Sequence, residues 1–285
     1  MSLGIAIKGT EGVVLAADSR VTIFSPLTAP PGQPQMILPS TFDHATKLLR
    51  VHEDHQKHVA AVTFGAGVIG MKGPRTARSY MTEFEKELGV TGRLSVQEFA
   101  KRLSRFFATR WAASDMPANM GEQNDMVFLV GGYDEDDAYG TVFQFSIPTR
   151  PEPAIAIPKD QFGAIWGGQR EITDRLMQGF DPMVPALVED ILAIPPNKRN
   201  PSALNDQLRT KFLTIPWQFL PLQDCVDLAM FVIRTTIGFQ RFAVGIRGVG
   251  GAIDVATITR TDGFTEIQTK KISGEKEHPT IRSRT

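Results

Sequence analysis

The chain opens on two apolar runs separated by a short polar turn. Residues 3–7 and 13–17 have the length and composition of strands, and Lys8-Gly9-Thr10-Glu11-Gly12 between them carries the glycines and polar residues of a hairpin connection. An N-terminal segment this apolar predicts burial in a sheet. From 21 to 42 the pattern breaks: Pro26, Pro30, Pro31, Pro34 and Pro39 predict an irregular excursion, too rich in proline for the interior of a strand or helix. A second hairpin is expected from 45–51 and 59–64. Apolar spacing over 68–88 predicts one amphipathic helix, and Ser95-Val96-Gln97-Glu98 is a capping box leading into a second over 99–111.

Further along, 126–131, 141–145 and 162–166 read as strands, separated by turns and by a proline-rich stretch at 148–158. Gly167-Gly168-Gln169 begins a helix that runs through Gln178, 182–220 reads as added helical material punctuated by prolines, and 223–238 as a further helix. Residues 241–247 and 252–260 are expected to be closing strands around Gly248-Val249-Gly250-Gly251. Strands, helices, strands, helices and strands in that order predict an α+β fold.

Composition narrows the setting. With 285 residues, 42% of them hydrophobic, the chain can bury a sizeable core, and a single domain over 1–285 is expected, with an insertion at 21–42, an added helical region at 180–221 and a disordered polar tail at 269–285. Basic and acidic residues balance at 31 each, which argues against a nucleic-acid or anionic-membrane partner. No apolar stretch approaches the roughly 20 residues of a membrane span. Cys225 is the single cysteine, so no internal disulfide can form, and no basic segment followed by an apolar one opens the chain. A cytoplasmic setting is favoured.

Three tempting patterns carry less chemistry than they suggest. His52, His55 and His58 would diverge in an extended turn, and no cysteine or second histidine cluster completes a tetrahedral metal set. Asp134-Glu135-Asp136-Asp137 is more simply a hairpin tip than a cation site. Gly65-Ala66-Gly67-Val68-Ile69-Gly70 spells the dinucleotide fingerprint, yet hairpins precede it and no strand-end acid follows at about 20 residues. No cofactor or metal is expected.

Ser2 is the residue with a chemical use. Removal of Met1, which a small residue at position 2 permits, would leave a serine carrying its own α-amine, a base with an ordinary pKa of about 7.7–8.0 beside a weak nucleophile. Ser2, the hairpin and its closing Asp18-Ser19-Arg20 resemble the proteasome β-type subunits of the N-terminal nucleophile hydrolases, as a divergent bacterial or archaeal homologue. The resemblance covers most of the chain outside 21–42 and 180–221, and implies a four-layer αββα sandwich. It places Ser2 on the nucleophile, where the family usually has threonine, Asp18 on the conserved aspartate, Lys47 on the catalytic lysine, and Gly65 on the glycine whose N–H helps form the oxyanion hole, with Gly67 two residues beyond as the other choice. Threonine's extra methyl restricts χ1, so serine implies a slower enzyme.

The resemblance implies a peptidase that cleaves peptide or unfolded-protein substrates within a homo-oligomeric ring, with an ATPase activator as a further partner. Two departures keep a non-catalytic ring subunit or scaffold, or a substrate-specific amidase or transpeptidase, in view. Gly167-Gly168-Gln169 stands where the family has Ser-Gly-Ser, and Ile246 and Val249 stand where it has Asp and Ser. Those polar groups would orient the nucleophile's amine.

Overall fold

Every residue of β1 (Leu3–Lys8) and β2 (Val13–Asp18) is buried, so both faces of this hairpin are covered. The computed structural model describes residues 2–27, 36–70, 73–89, 92–117, 124–211, 214–272 and 274. After the hairpin, β3 (Val21–Leu27) pairs antiparallel with β4 (Met36–Phe42) as a separate two-stranded ribbon. The excursion expected at 21–42 is therefore ordered at both ends. Pro26 lies opposite Ile37 and Pro39 opposite Phe24; in a two-stranded ribbon each strand has a free edge, where a missing N–H costs no ladder bond. Pro30, Pro31 and Pro34 lie outside the described residues.

The chain continues through β5 (Leu48–Leu49) and β6 (Val59–Gly65) to α1 (Ala77–Leu88) and α2 (Val96–Ala112). The first of these helices starts later than the spacing predicts. Ile69 and Arg75 bridge each other, Gly70 has φ +107°, and a proline at 74 disfavours helix at the residue before it, so the helix begins only after its cap Thr76. Next come β7 (Met126–Gly132), β8 (Thr141–Ile147), β9 (Arg150–Ile157) and β10 (Gly163–Gly168). The proline-rich stretch at 148–158 is thus mostly strand, and it is the edge strand of its sheet, where Pro151 and Pro153 are tolerated.

Then α3 (Glu171–Gln178), α4 (Val184–Ile191), α5 (Pro201–Arg209) and α6 (Leu222–Gln240) lead to the closing hairpin β11 (Ile253–Thr259) and β12 (Gly263–Gln268). Residues 241–247 form a turn, a bend and irregular chain and not the expected strand, because β11 takes its partners from β2 and from the downstream β12. The segment after β12 is tied down at its start by Lys270, which bonds Asp254 through both its backbone N–H and its ammonium. The rest of the expected tail, apart from 271, 272 and 274, lies outside the described residues.

Two five-stranded antiparallel sheets result, ordered β10-β1-β2-β11-β12 and β5-β6-β7-β8-β9. Strand periodicity divides the side chains among three cores. Ala6, Leu15 and Ala17 of the first sheet pack with Val62, Phe64 and Leu129 of the second. Ile5, Ile7 and Val14, on the opposite face, pack with Val226, Ala229 and Ile233 of α6. Phe128 and Phe145 turn the other way, toward Phe84 of α1 and Phe99 and Phe107 of α2. The molecule is a mixed α+β structure, and its hairpin ends, where Ser2, Asp18 and Gly65 lie, meet at one side of the paired sheets.

Candidate active site

Ser2 immediately precedes β1 and is almost completely buried. The backbone N–H of Gly65, at the end of β6, donates to its hydroxyl at 3.0 Å. Only glycine suits that position: φ is +87°, and a Cβ would run into the Asp125 carbonyl oxygen. Gly67 lines the same pocket without bonding Ser2, so Gly65 is the glycine that the strand register delivers to the hydroxyl.

Asp18, the last residue of β2, has no exposed surface. Its carboxylate is saturated. One oxygen accepts from Leu3 N at 3.0 Å and from the Lys47 ammonium at 2.6 Å, and the other from Arg20 N at 3.1 Å and Gly250 N at 2.9 Å. Lys47 sits just ahead of β5, held in place by its carbonyl, which accepts from Thr63 N of β6. Its side chain is 6% exposed. Burial pulls the Lys47 pKa below the ordinary lysine value, against the opposing pull of Asp18, and the neighbouring Lys270 lowers it further.

Ser2 and Lys47 therefore line one small pocket, with Val21, Thr46, Thr63 and Gly67 around them and Asp18 beneath. The four residues singled out from the sequence are brought together from β1, β2, the start of β5 and the end of β6. Other features gather elsewhere. His58 Nδ1 lies 3.4 Å from Thr259 O, while the His52 ring faces Arg78. Gly65 to Gly70 does not open a helix, since α1 starts at Ala77. The acidic residues 134–137 sit in the turn between β7 and β8, where Asp134 caps Val96 N of α2 and Asp137 pairs with Lys159.

Sequence reasoning missed the groups that hold this arrangement. Arg20 braces the loop before β11: its guanidinium clasps Asp43, with Nε 2.5 Å and Nη2 2.7 Å from the two carboxylate oxygens, and reaches the Arg247 carbonyl at 3.0 Å. That contact holds the Asp43 carboxyl below its ordinary pKa. Gly250 packs so closely on the guanidinium that a Cβ would overlap it. Val249, standing where the resemblance implies a serine, is buried and donates its backbone N–H to Gln240, whereas Ile246 lies in irregular chain and is half-exposed. A buried pair of Asp254 and Lys270 lies close enough to act on Lys47. The Arg in Asp-Ser-Arg and the paired glycines at 250–251 were the only local signals.

No family model matches the chain, and no curated protein matches it. Solved structures do, three of Anbu among them. An Anbu mutant from Hyphomicrobium sp. strain MC1 matches at TM-score 0.52 and 14% identity, covering 97% of this chain and 89% of that one. An Anbu structure described as a helical assembly, from Pseudomonas aeruginosa, matches at TM-score 0.52 and 15% identity over 93% and 84%. Anbu, the ancestral beta-subunit, from Yersinia bercovieri matches at TM-score 0.50 and 15% identity over 93% and 86%. The fold is Anbu-like.

That finding corrects the assignment to the proteasome β-type subunits: these three similar solved structures are of Anbu, a related but different proteasome-like group. The opening hairpin, Asp-Ser-Arg and the lysine could not separate the two. They describe how an N-terminal hairpin is seated in a sheet, a local requirement that an Anbu-like fold meets equally well. At 14–15% identity the likeness speaks for the fold alone.

Proposed function

We propose that this protein is a subunit of a proteasome-like assembly with an Anbu-like, single-domain, four-layer αββα fold, and that its Ser2 site hydrolyses amide bonds in peptide substrates once Met1 is removed. The assembly rests on the fold likeness and on the exposed apolar residues after α6, where Phe242 is 87% exposed and Val244 fully so. The Anbu structure from Pseudomonas aeruginosa is a helical assembly.

The catalytic reading rests on one observation: Ser2 and the buried Lys47 line one pocket, and the Lys47 ammonium is held by a carboxylate with every lone-pair direction occupied. In this reading the Ser2 oxygen attacks a substrate carbonyl carbon, and its proton passes to the freed α-amine, directly or through a water. Lys47 and the Gly65 N–H stabilise the oxyanion. Collapse expels the amine product with that proton, and water then cleaves the acyl-enzyme ester.

A non-catalytic subunit is the second reading, favoured by the loss of the side chains expected at Gly167, Gln169 and Val249. Intact-mass measurement with and without an amine-terminal serine electrophile separates the two. Loss of one methionine and a single adduct that disappears in Ser2→Ala supports the hydrolase; an unreactive chain retaining Met1 refutes it and leaves the assembling subunit.

A further inference from the structure

The peptide unit between Ser2 and Leu3 is gripped at both edges. Its carbonyl accepts from Gln169 N at 2.8 Å, and its N–H donates to Asp18 at 3.0 Å. The loop after β10 approaches so closely that a Cβ at Gly168 would strike the Ser2 carbonyl, and Gly168 accordingly has φ +98°. On the other side Gly250 N donates to Asp18 at 2.9 Å. The loops carrying Gln169 and Gly250 come from distant parts of the chain, and one side chain joins them.

That side chain is Gln240, the last residue of α6. Its Oε1 accepts from Val249 N at 3.0 Å and its Nε2 donates to Gln169 Oε1 at 2.8 Å. The orientation follows from chemistry: a backbone N–H can only donate, so Gln240 must turn its oxygen toward Val249 and its amide NH2 toward Gln169. A closed circuit results, running Ser2, Gln169, Gln240, Val249–Gly250, Asp18, Leu3 and back to Ser2. We infer that Gln240 and Gln169 are positioning residues for Ser2, fixing through this circuit the peptide unit that aims its hydroxyl and amine.

This inference rests on the hydrolytic reading of Ser2. It explains how a site lacking the hydroxyls and carboxylate expected at 167–169, 246 and 249 can still be rigid: two amide side chains and backbone N–H groups do the holding. Near-attack geometry is sensitive, and a displacement of about 1 Å costs about a hundredfold in rate. Gln240 touches neither the pocket nor the reacting atoms.

The test compares wild type, Gln240→Met, Gln169→Met and the pair in the full chain. Amide hydrogen exchange at Leu3, kcat and KM on a peptide substrate, and the thermal midpoint are measured. Each single substitution should speed Leu3 exchange by about tenfold, the effect of about 1.4 kcal/mol of local opening, and lower kcat about 10- to 100-fold with KM within about twofold. The thermal midpoint should hold to a few degrees. The double variant should be no worse than the poorer single, since both cut one circuit. Unchanged Leu3 exchange, or faster exchange with unchanged kcat, overturns the inference while the hydrolase stands. If wild type shows no Ser2-dependent turnover, the hydrolytic reading fails separately, and the exchange data alone then decide whether the two glutamines hold Ser2. Should Gln240→Met not fold, Gln169→Met, at a half-buried loop position, reads the same link.

Discussion

Replacing Lys47 by methionine is the most informative perturbation of this molecule, because it leaves Asp18 fully buried with its charge uncompensated. Removing one partner of a buried ion pair costs about 3–5 kcal/mol. The Lys47 side chain is 6% exposed and that of Asp18 not at all, so solvent screening does not reduce this figure. The three backbone N–H donors that remain on Asp18 place the loss toward the lower end of that range. Asp18→Asn is damaging for a different reason. Each carboxylate oxygen serves two donors, and an asparagine must turn its NH2 toward one of those pairs, at about 1–3 kcal/mol for each donor left unmet. In the double variant the NH2 can face the side from which Lys47 has gone, so only Leu3 N loses its acceptor. Urea denaturation should therefore give a double-variant loss smaller than the sum of the singles by about 4–6 kcal/mol, the penalty of the unpaired charge plus that of one donor, with m unchanged. Additivity within about 0.5 kcal/mol would mean that Asp18 and Lys47 do not act as one buried unit, and the account of the site would fail.

Lys47 also sets a pH dependence. Its folded pKa lies below that of a solvated lysine, so between those two values the unfolded chain binds more protons and stability rises with pH; the cost of burying the ammonium is present in full below the folded pKa. Urea midpoints against pH should show this rise in wild type and lose it in Lys47→Met, and Lys270→Met should move it to higher pH. If Lys47 acts as a charge on the oxyanion, kcat/KM falls as pH rises through the same folded pKa, and a profile that climbs there contradicts that role. Gly65→Ala should cost about 1–3 kcal/mol from the positive φ alone and abolish Ser2 reactivity, because the new Cβ meets Asp125 O and displaces the N–H; a folded, fully reactive variant rules out the Gly65 role. Phe242→Asp with Val244→Asp should shift sedimentation velocity toward the monomer at constant thermal midpoint, and an unchanged distribution excludes that surface from the assembly.

How much of this was written in the chain depends on the range of the interaction. The opening hairpin, the capping box before α2, the helices of 182–240 and the strands 126–131 and 141–145 are legible because periodicity and turn chemistry are local, and they pointed to an α+β fold and to Ser2, Asp18, Lys47 and Gly65. Proline misled at 26, 39, 151 and 153 because its penalty in a strand depends on whether its edge is paired, and pairing is a tertiary fact. The closing hairpin was placed too early since apolar residues at 242, 244 and 246 look like a strand but lie exposed outside any strand.

The site divides in the same way. Residue type and position named a hydroxyl, a carboxylate, an ammonium and a glycine, while only the folded chain could bring Gly250, Gln169 and Gln240 to them across separations of up to 232 residues. Those contacts are made by backbone N–H groups and amide side chains, which every sequence has in abundance. Their identity carries no signal, and their meaning comes entirely from where the sheets and α6 place them.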